Sequence, residues 1–514
     1  MLPKRLKWQY NPAIISRQAI QWIAFIAFGI LFVWTRRNDG LPFDIVNIWF
    51  RLDPLVTLAE AIAGRVLLTG SALALITVAL TLVFGRAWCG WLCPLGTTLD
   101  LFEPKRGLKI KVPENWRNIK HILLIAIVVA ALFGNLTLLI FDPITIIFRA
   151  FTVGLYPALD ESIRQLETLT YQNFTDAGEW VMTVDSFLRP NWLPIRSLIY
   201  RDGWVYVTML VVIIALNWIA PRFWCRYLCP LGSMLGLMSK VALVKRRVTQ
   251  ECPGCLACTR ACPTGIIKPE NTYDSDPSEC TMCMNCTAIC PQLGNKFVFA
   301  PAPAKWNTYD PQRRQTLAIF GAATLGVFLL KKNPFAQLIH KYFIQPPGGR
   351  ENNLLAKCIR CGECVRVCPT NAIQPSVTEA GAEGLWTPIL VTRLGQCDYG
   401  CNSCGQVCPV QAIPPLSLEE KRKAVIGIAV IDKDTCLAWG KNTPCIVCEE
   451  MCPLSPKAIT LDEVYVRKDR GETLLIQRPV VHNDKCIGCG ICELKCPVEG
   501  VSAIRVQAIE TVEM

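Results

Sequence analysis

The spacing of the cysteines constrains this chain more than any other feature. Of 28 cysteines in 514 residues, 24 fall into six groups of four, each ending in Cys-Pro. Four groups read C-x2-C-x2-C-x3-C-P without deviation: Cys252, Cys255, Cys258 and Cys262; Cys280, Cys283, Cys286 and Cys290; Cys358, Cys361, Cys364 and Cys368; and Cys486, Cys489, Cys492 and Cys496. The group Cys397, Cys401, Cys404 and Cys408 carries one extra residue, and the group Cys436, Cys445, Cys448 and Cys452 carries six. Three thiolates two residues apart wrap three corners of a cubane in one tight loop, and the fourth ligand comes from elsewhere. The proline turns the chain away and so frees that fourth cysteine for a neighbouring cluster. By this rule Cys252, Cys255 and Cys258 pair with Cys290, and Cys280, Cys283 and Cys286 with Cys262. The four distal groups allow two arrangements, first with second or first with fourth.

Zinc is the competing chemistry, and its sites use one or two cysteine pairs, often with histidine. Here there are three histidines in all (His121, His340 and His482) and no Cys-x-x-Cys-His. Covalent haem is excluded by the same count, and a pair of axial histidines for a b-type haem is poorly provided for. Six [4Fe–4S] clusters are therefore expected on 24 ligands. The formal charge of +12 does not imply a nucleic-acid partner. Six oxidised clusters of about −2 each would offset it, leaving the basic residues to set topology.

Four apolar segments precede the soluble motifs, approximately Ala19–Trp34, Val66–Phe84, Ile122–Phe141 and Trp204–Ala220. Each suits a hydrocarbon core of about 30 Å, with some tilt or snorkelling. Lys105, Arg106, Lys109, Lys111, Arg117 and Lys120 follow the second, and Lys240, Lys245, Arg246 and Arg247 follow the fourth. With Lys4, Arg5 and Lys7 these belong on the inner side, although Arg36 and Arg37 fall outside. The segment Asp142 to Arg201 is then an outer loop. A further segment, Arg313–Leu330, opens with twin arginines and resembles a Tat signal or a fifth helix, against the alternative of a surface helix.

The helical half is duplicated. Arg86-Ala-Trp-Cys-Gly-Trp-Leu-Cys-Pro-Leu-Gly96 and Arg222-Phe-Trp-Cys-Arg-Tyr-Leu-Cys-Pro-Leu-Gly232 agree at eight of eleven positions, and Asp53-Pro54 and Asp142-Pro143 recur likewise. The pairs Cys89/Cys93 and Cys225/Cys229 place both sulfurs on one helix face. They are candidate redox pairs: an extra metal or cluster site, a dithiol switch or an electron relay, against small buried hydrophobes. Asp53 and Asp142 are candidate proton acceptors, and equally helix N-caps followed by proline.

With four helices, duplicated Cys-x3-Cys-Pro and two cluster motifs, the first 300 residues resemble NapH and MauN. The last 200, with a twin-arginine segment and four motifs whose third is stretched, resemble NapG and MauM. The chain is thus similar to a NapH–NapG fusion, ferredoxin-type quinol dehydrogenase components. The resemblance implies a membrane α-helical bundle of four helices plus a fifth, with two α+β ferredoxin-like polyferredoxin domains. The expected partition is 1–248 membrane, 249–300 a cytoplasmic-side two-cluster domain, 301–345 linker and twin-arginine segment, and 346–514 a periplasmic four-cluster domain. It also implies a bacterial inner membrane location, quinol as substrate from the quinone pool, and a periplasmic cytochrome or reductase as acceptor. A dimer or further membrane subunits would be one way for electrons to cross. Two rival functions are an accessory factor supplying electrons for assembly of another redox enzyme, and a redox sensor.

Overall fold

A computed structural model describes residues 12–37, 42–65, 69–104, 112–173, 178–249, 252–292, 294–300, 313–331, 344–349, 351–377, 379–467 and 473–509. Lys4, Arg5, Lys7, Lys105, Arg106, Lys109, Lys111 and His340, and the linker at 301–304, lie outside these residues. The chain divides into two compact units.

The first unit comprises Met1–Trp34, Asp44–Phe151 and Trp204–Val327. The described parts of the four expected apolar segments are largely helical, but among the described residues only two helices are long and apolar enough to cross a membrane, Pro12–Arg36 and Glu114–Leu132. The segment at Val66–Phe84 is described from Thr69, as a 3-10 turn followed by the helix Ala74–Phe84, and the fourth is the helix Gly203–Ala215. The reason lies in the breaks. Gly134 takes a left-handed φ of 68°, and the chain re-forms a helix only at Pro143. An additional apolar helix, Pro54–Gly64, fell between the segments expected from hydropathy.

Four of these helices begin at X-Pro: Pro54–Gly64, Pro94–Leu101, Pro143–Arg149 and Pro230–Ser239. Proline at the first helical position loses no needed hydrogen bond, and Asp53, Asp142 and Cys229 cap three of these ends with their side chains. Phe28 and Phe32 pack edge-on against Phe148, with centroids 6.2 and 5.3 Å apart, joining the first helix to the second copy. The two-cluster segment is closed by the antiparallel pair Val244–Val248 and Asn295–Phe299, with Arg246 opposite Phe297.

The second unit comprises Thr35–Phe43, Thr152–Gly203 and Phe328–Met514, so the expected outer loop folds with the distal motifs. Its helices Tyr156–Asn173 and Gly178–Asn191 are joined by Arg189, which reaches Asp160 at 3.0 Å and Glu167 at 2.8 Å. The carbonyl of Ile199 accepts from the side-chain amides of Asn371 and, at 3.1 Å, Gln374. The buried guanidinium of Arg366 lies 3.9 Å above the Tyr156 ring. Short strand pairs organise the motifs: Ile373–Pro375 with Pro388–Leu390, Ile428–Ile431 with Ile504–Gln507, and the hairpin Ile459–Arg467/Thr473–Val481. The strand expected over Ala424–Ile431 is confined to its last four residues. Gly427 approaches the backbone at 488 so closely that a Cβ at Gly488 would stand 2.3 Å from its carbonyl oxygen.

Candidate iron–sulfur centres and the cavity beside them

In all four regular motifs, the residues on either side of the second cysteine have positive φ: Gly254 and Leu256, Met282 and Met284, Arg360 and Gly362, Gly488 and Gly490. Left-handed backbone at Leu256, Met282, Met284 and Arg360 costs a non-glycine residue about 1–3 kcal/mol. Its return is a loop whose successive N–H groups line a concavity suited to an anion. The backbone N–H of Gly294 donates to Cys290 Sγ at 3.2 Å and that of Ala429 to Cys486 Sγ at 3.5 Å. Hydroxyls of Thr264 and Thr370 stand 3.3 and 3.5 Å from Cys262 and Cys368.

The sulfurs group as the crossing rule requires. Cys280, Cys283 and Cys286 share their surroundings with Cys262. Cys258 neighbours Cys252 and Cys255, and Gly294 bridges Cys252 and Cys290. In the second unit Cys358, Cys361 and Cys364 meet Cys408, while Cys397, Cys401 and Cys404 meet Cys368. Cys486 and Cys489 both meet Cys452. A small cavity is walled by Cys436, Cys445, Cys448 and Cys496. The first distal motif therefore pairs with the second and the third with the fourth. The two pairs are joined by the backbone itself, because the Cys397 N–H donates to the Cys489 carbonyl at 2.9 Å.

Two further observations fit a cubane. Burial would push the free thiols of Cys280 and Cys448 up to about 12, so they hold charge only against a bound metal. A single zinc with sulfurs at about 2.3 Å needs thiolates about 3.8 Å apart. Among the described residues no three His, Cys, Asp or Glu side chains gather tightly enough for one ion.

The remaining four cysteines, Cys89, Cys93, Cys225 and Cys229, are all buried and stand within electrostatic reach of one another. Asp53 and Asp142 are N-caps as the sequence allowed: Asp53 accepts from Leu55 N at 2.8 Å and Asp142 from Thr145 N at 2.9 Å. The two buried carboxyls also lie within electrostatic reach of each other.

Three features were missed from sequence. Glu279, 3 % exposed, is held by Arg86 at 3.3 Å, Arg117 at 3.4 Å and Lys120. Burial would raise its carboxyl, but the three cations win and keep it below the ordinary range. Second, a cavity of about 520 Å³ opens between Ile14, Arg17, Gln21 and Trp22 of the first helix, Asp100, Leu101 and Glu103, and Cys283. Asp100 is bound there by Arg222 at 2.5 Å, Gln21 at 2.9 Å and Arg17 at 3.5 Å. Partial burial and then the charge of Asp100 raise the Glu103 carboxyl. Third, Arg86 and Arg222 cross between the copies. Arg86 donates to the Cys225 carbonyl at 3.4 Å and Arg222 to the Cys89 carbonyl at 3.3 Å. Their recurrence in both eleven-residue repeats was the signal that could have found them.

Comparison with known proteins agrees with this grouping. A model described as a 4Fe-4S binding domain matches residues 66–113 and again 202–249. Models described as 4Fe-4S dicluster domains match 244–301, and 357–412 and 441–500. Methylamine utilization ferredoxin-type protein MauM of Methylorubrum extorquens is 40 % identical over 166 residues, covering 32 % of this chain and 71 % of the relative. The chain belongs to the MauM/NapG family of ferredoxin-type proteins. MauM of Paracoccus denitrificans is 34 % identical over 199 residues, 38 % of this chain and 84 % of its own. Ferredoxin-type protein NapG of Escherichia coli is 35 % identical over 159 residues, 30 % of this chain and 67 % of its own. These MauM/NapG relatives account for about a third of the chain, which also carries the duplicated helical half. No solved structure matches.

Proposed function

We propose that the chain is a membrane-bound quinol dehydrogenase module, a NapH–NapG-type fusion carrying six [4Fe–4S] clusters on the 24 grouped cysteines. The observation that carries this reading is the 520 Å³ cavity with Cys283 in its wall. Its size suits a ring-sized ligand, and its lining sets the apolar side chains of Ile14, Trp22 and Leu101 beside charged and amide groups. When bound, the clusters supply one-electron carriers. Trp22 and Leu101 offer the quinol ring apolar walls, and Arg17 and Gln21 offer its hydroxyls polar partners. Glu103, its carboxyl raised by partial burial and by Asp100, accepts a proton at its carboxylate oxygen and passes it to the aqueous mouth. Two such transfers accompany the two electrons that leave singly past Cys283. Asp100, tied to two arginines, keeps its charge and maintains the basicity of Glu103.

The distal sets form a sequence of neighbours: Cys358/361/364/408, Cys397/401/404/368, Cys486/489/492/452, then Cys436/445/448/496. Its first member adjoins the loop 152–203, read as outer, which supports a periplasmic place for residues 346–514 and a periplasmic acceptor beyond the last member. Full-length protein in liposomes, given reduced quinol anaerobically, should show cluster bleaching by absorbance and new EPR signals. Glu103→Gln should slow that reduction at least tenfold with dithionite reduction unchanged. Failure of every quinol tried to reduce any cluster would remove the proposal.

A further inference from the structure

We propose that Cys89, Cys93, Cys225 and Cys229 together ligate a further iron–sulfur cluster, shared between the two copies of the duplicated membrane unit. Each match to the 4Fe-4S binding domain, at 66–113 and 202–249, contains only two cysteines, so neither copy completes a four-thiolate set alone. The structure completes it by bringing the pairs together. The four residues are 4–7 % exposed. The guanidinium of Arg86, from the first copy, lies beside Gly232, where a Cβ would meet its Nη2 at 2.6 Å and Cys229 Sγ at 3.4 Å. Arg222, from the second copy, reaches the Cys89 carbonyl in return.

The surroundings are those of an anionic cofactor. Cys93 and Cys229 sit at the N-termini of the helices Pro94–Leu101 and Pro230–Ser239, where exposed N–H groups favour negative charge. Gly232 N donates to Cys229 Sγ at 3.2 Å. Two almost fully buried arginines adjoin the set, a positive charge that four thiols packed as small hydrophobes would not need. The indole N–H groups of Trp88 and Trp224, each directly preceding a ligand, are buried without an acceptor among the described residues. They stand at equivalent repeat positions and are spare donors for sulfide.

Other roles fit less well. None of the four cysteines is disulfide-bonded, and burial denies a partner thiol the access that exchange requires. A mononuclear ion would need the tighter gathering that the described residues lack. The position is also suited to electron traffic. Gly90, between Cys89 and Cys93, packs on the carbonyl of Thr281, between Cys280 and Cys283, so tightly that a Cβ would stand 2.2 Å from it. Trp91 Nε1 donates to the Met282 carbonyl at 3.0 Å.

The test is iron and acid-labile sulfide per chain in the full-length protein, purified anaerobically in detergent. Six cubanes give about 24 iron and a seventh gives about 28. Cys89→Ser/Cys225→Ser should lose two to four iron with equal sulfide and one EPR or Mössbauer component, while the six other signals persist. If that variant does not accumulate, the wild-type count stands by itself. A wild-type count of about 24, or a variant that retains every iron and every signal, overturns the proposal.

Discussion

Glu279 offers the sharpest energetic test of how the two-cluster segment is seated. Replacing it with glutamine keeps volume and hydrogen-bonding atoms but removes the carboxylate that pairs with Arg86, Arg117 and Lys120. At 3.3 and 3.4 Å, each arginine contributes roughly 5 kcal/mol of gross attraction at an effective dielectric of about 20. Most of that is offset in the wild type by the cost of desolvating four charged groups. Removing one partner exposes the offset, so the net loss should be about 3–5 kcal/mol. Global unfolding of a chain with two compact units and bound clusters is not two-state, so the readable quantity is local opening. Transfer of the Cys280, Cys283, Cys286 and Cys262 iron to an external chelator, followed by loss of visible absorbance, should accelerate by about 10²–10³-fold at 25 °C, given tenfold per 1.4 kcal/mol. Glu270→Gln, an exposed control nearby, should leave the rate within twofold. An equally small effect at Glu279 would mean that the three cations are solvated and that the ion-pair argument is wrong.

Other outcomes follow from the same geometry. Cys452→Ser should abolish the spectral signature shared with Cys486→Ser and spare the one shared with Cys436→Ser; the opposite pattern would refute the crossed pairing. Because burial and Asp100 raise the Glu103 carboxyl, its proton-accepting form is lost at a higher pH than for an ordinary glutamate. Quinol-dependent reduction should therefore fall as pH drops through that raised value, with the inflection removed in Glu103→Gln. Tyr156→Ala takes away the ring under buried Arg366 and should destabilise the second unit by about 2 kcal/mol, measured as increased proteolysis of residues 346–514.

The cluster ligands were legible because their spacing encodes a loop, and a loop of that kind depends on only a few residues around each cysteine. The duplicated eleven-residue motif was legible for the same reason. The proximal pairing followed from two motifs having only each other. Four distal motifs left a choice that was settled by approaches such as that of Cys364 to Cys408, residues 44 apart in sequence numbering. Hydropathy located apolar helices but smoothed over the X-Pro starts at Pro54 and Pro143, because a window averages across a break that one capped carboxylate makes stable. The cavity was hidden because Arg17, Asp100 and Arg222 are each unremarkable until the fold gathers them. Glu279, one acidic residue among many, gave no local sign that three cations would converge on it.

The crossed arginines have a consequence for how such a chain arose. Arg86 reaches the carbonyl of Cys225, Arg222 reaches that of Cys89, and Asp53 lies within electrostatic reach of Asp142. Half of this arrangement would leave its buried arginine without the partner carbonyl. An ancestral single unit would have had to associate with a second copy of itself, each arginine reaching across the dyad to its twin. Tandem duplication made that encounter intramolecular and free of protein concentration. It also released the halves from identity: glycine at 90 became free to press against the neighbouring carbonyl, while arginine at 226 took a different course.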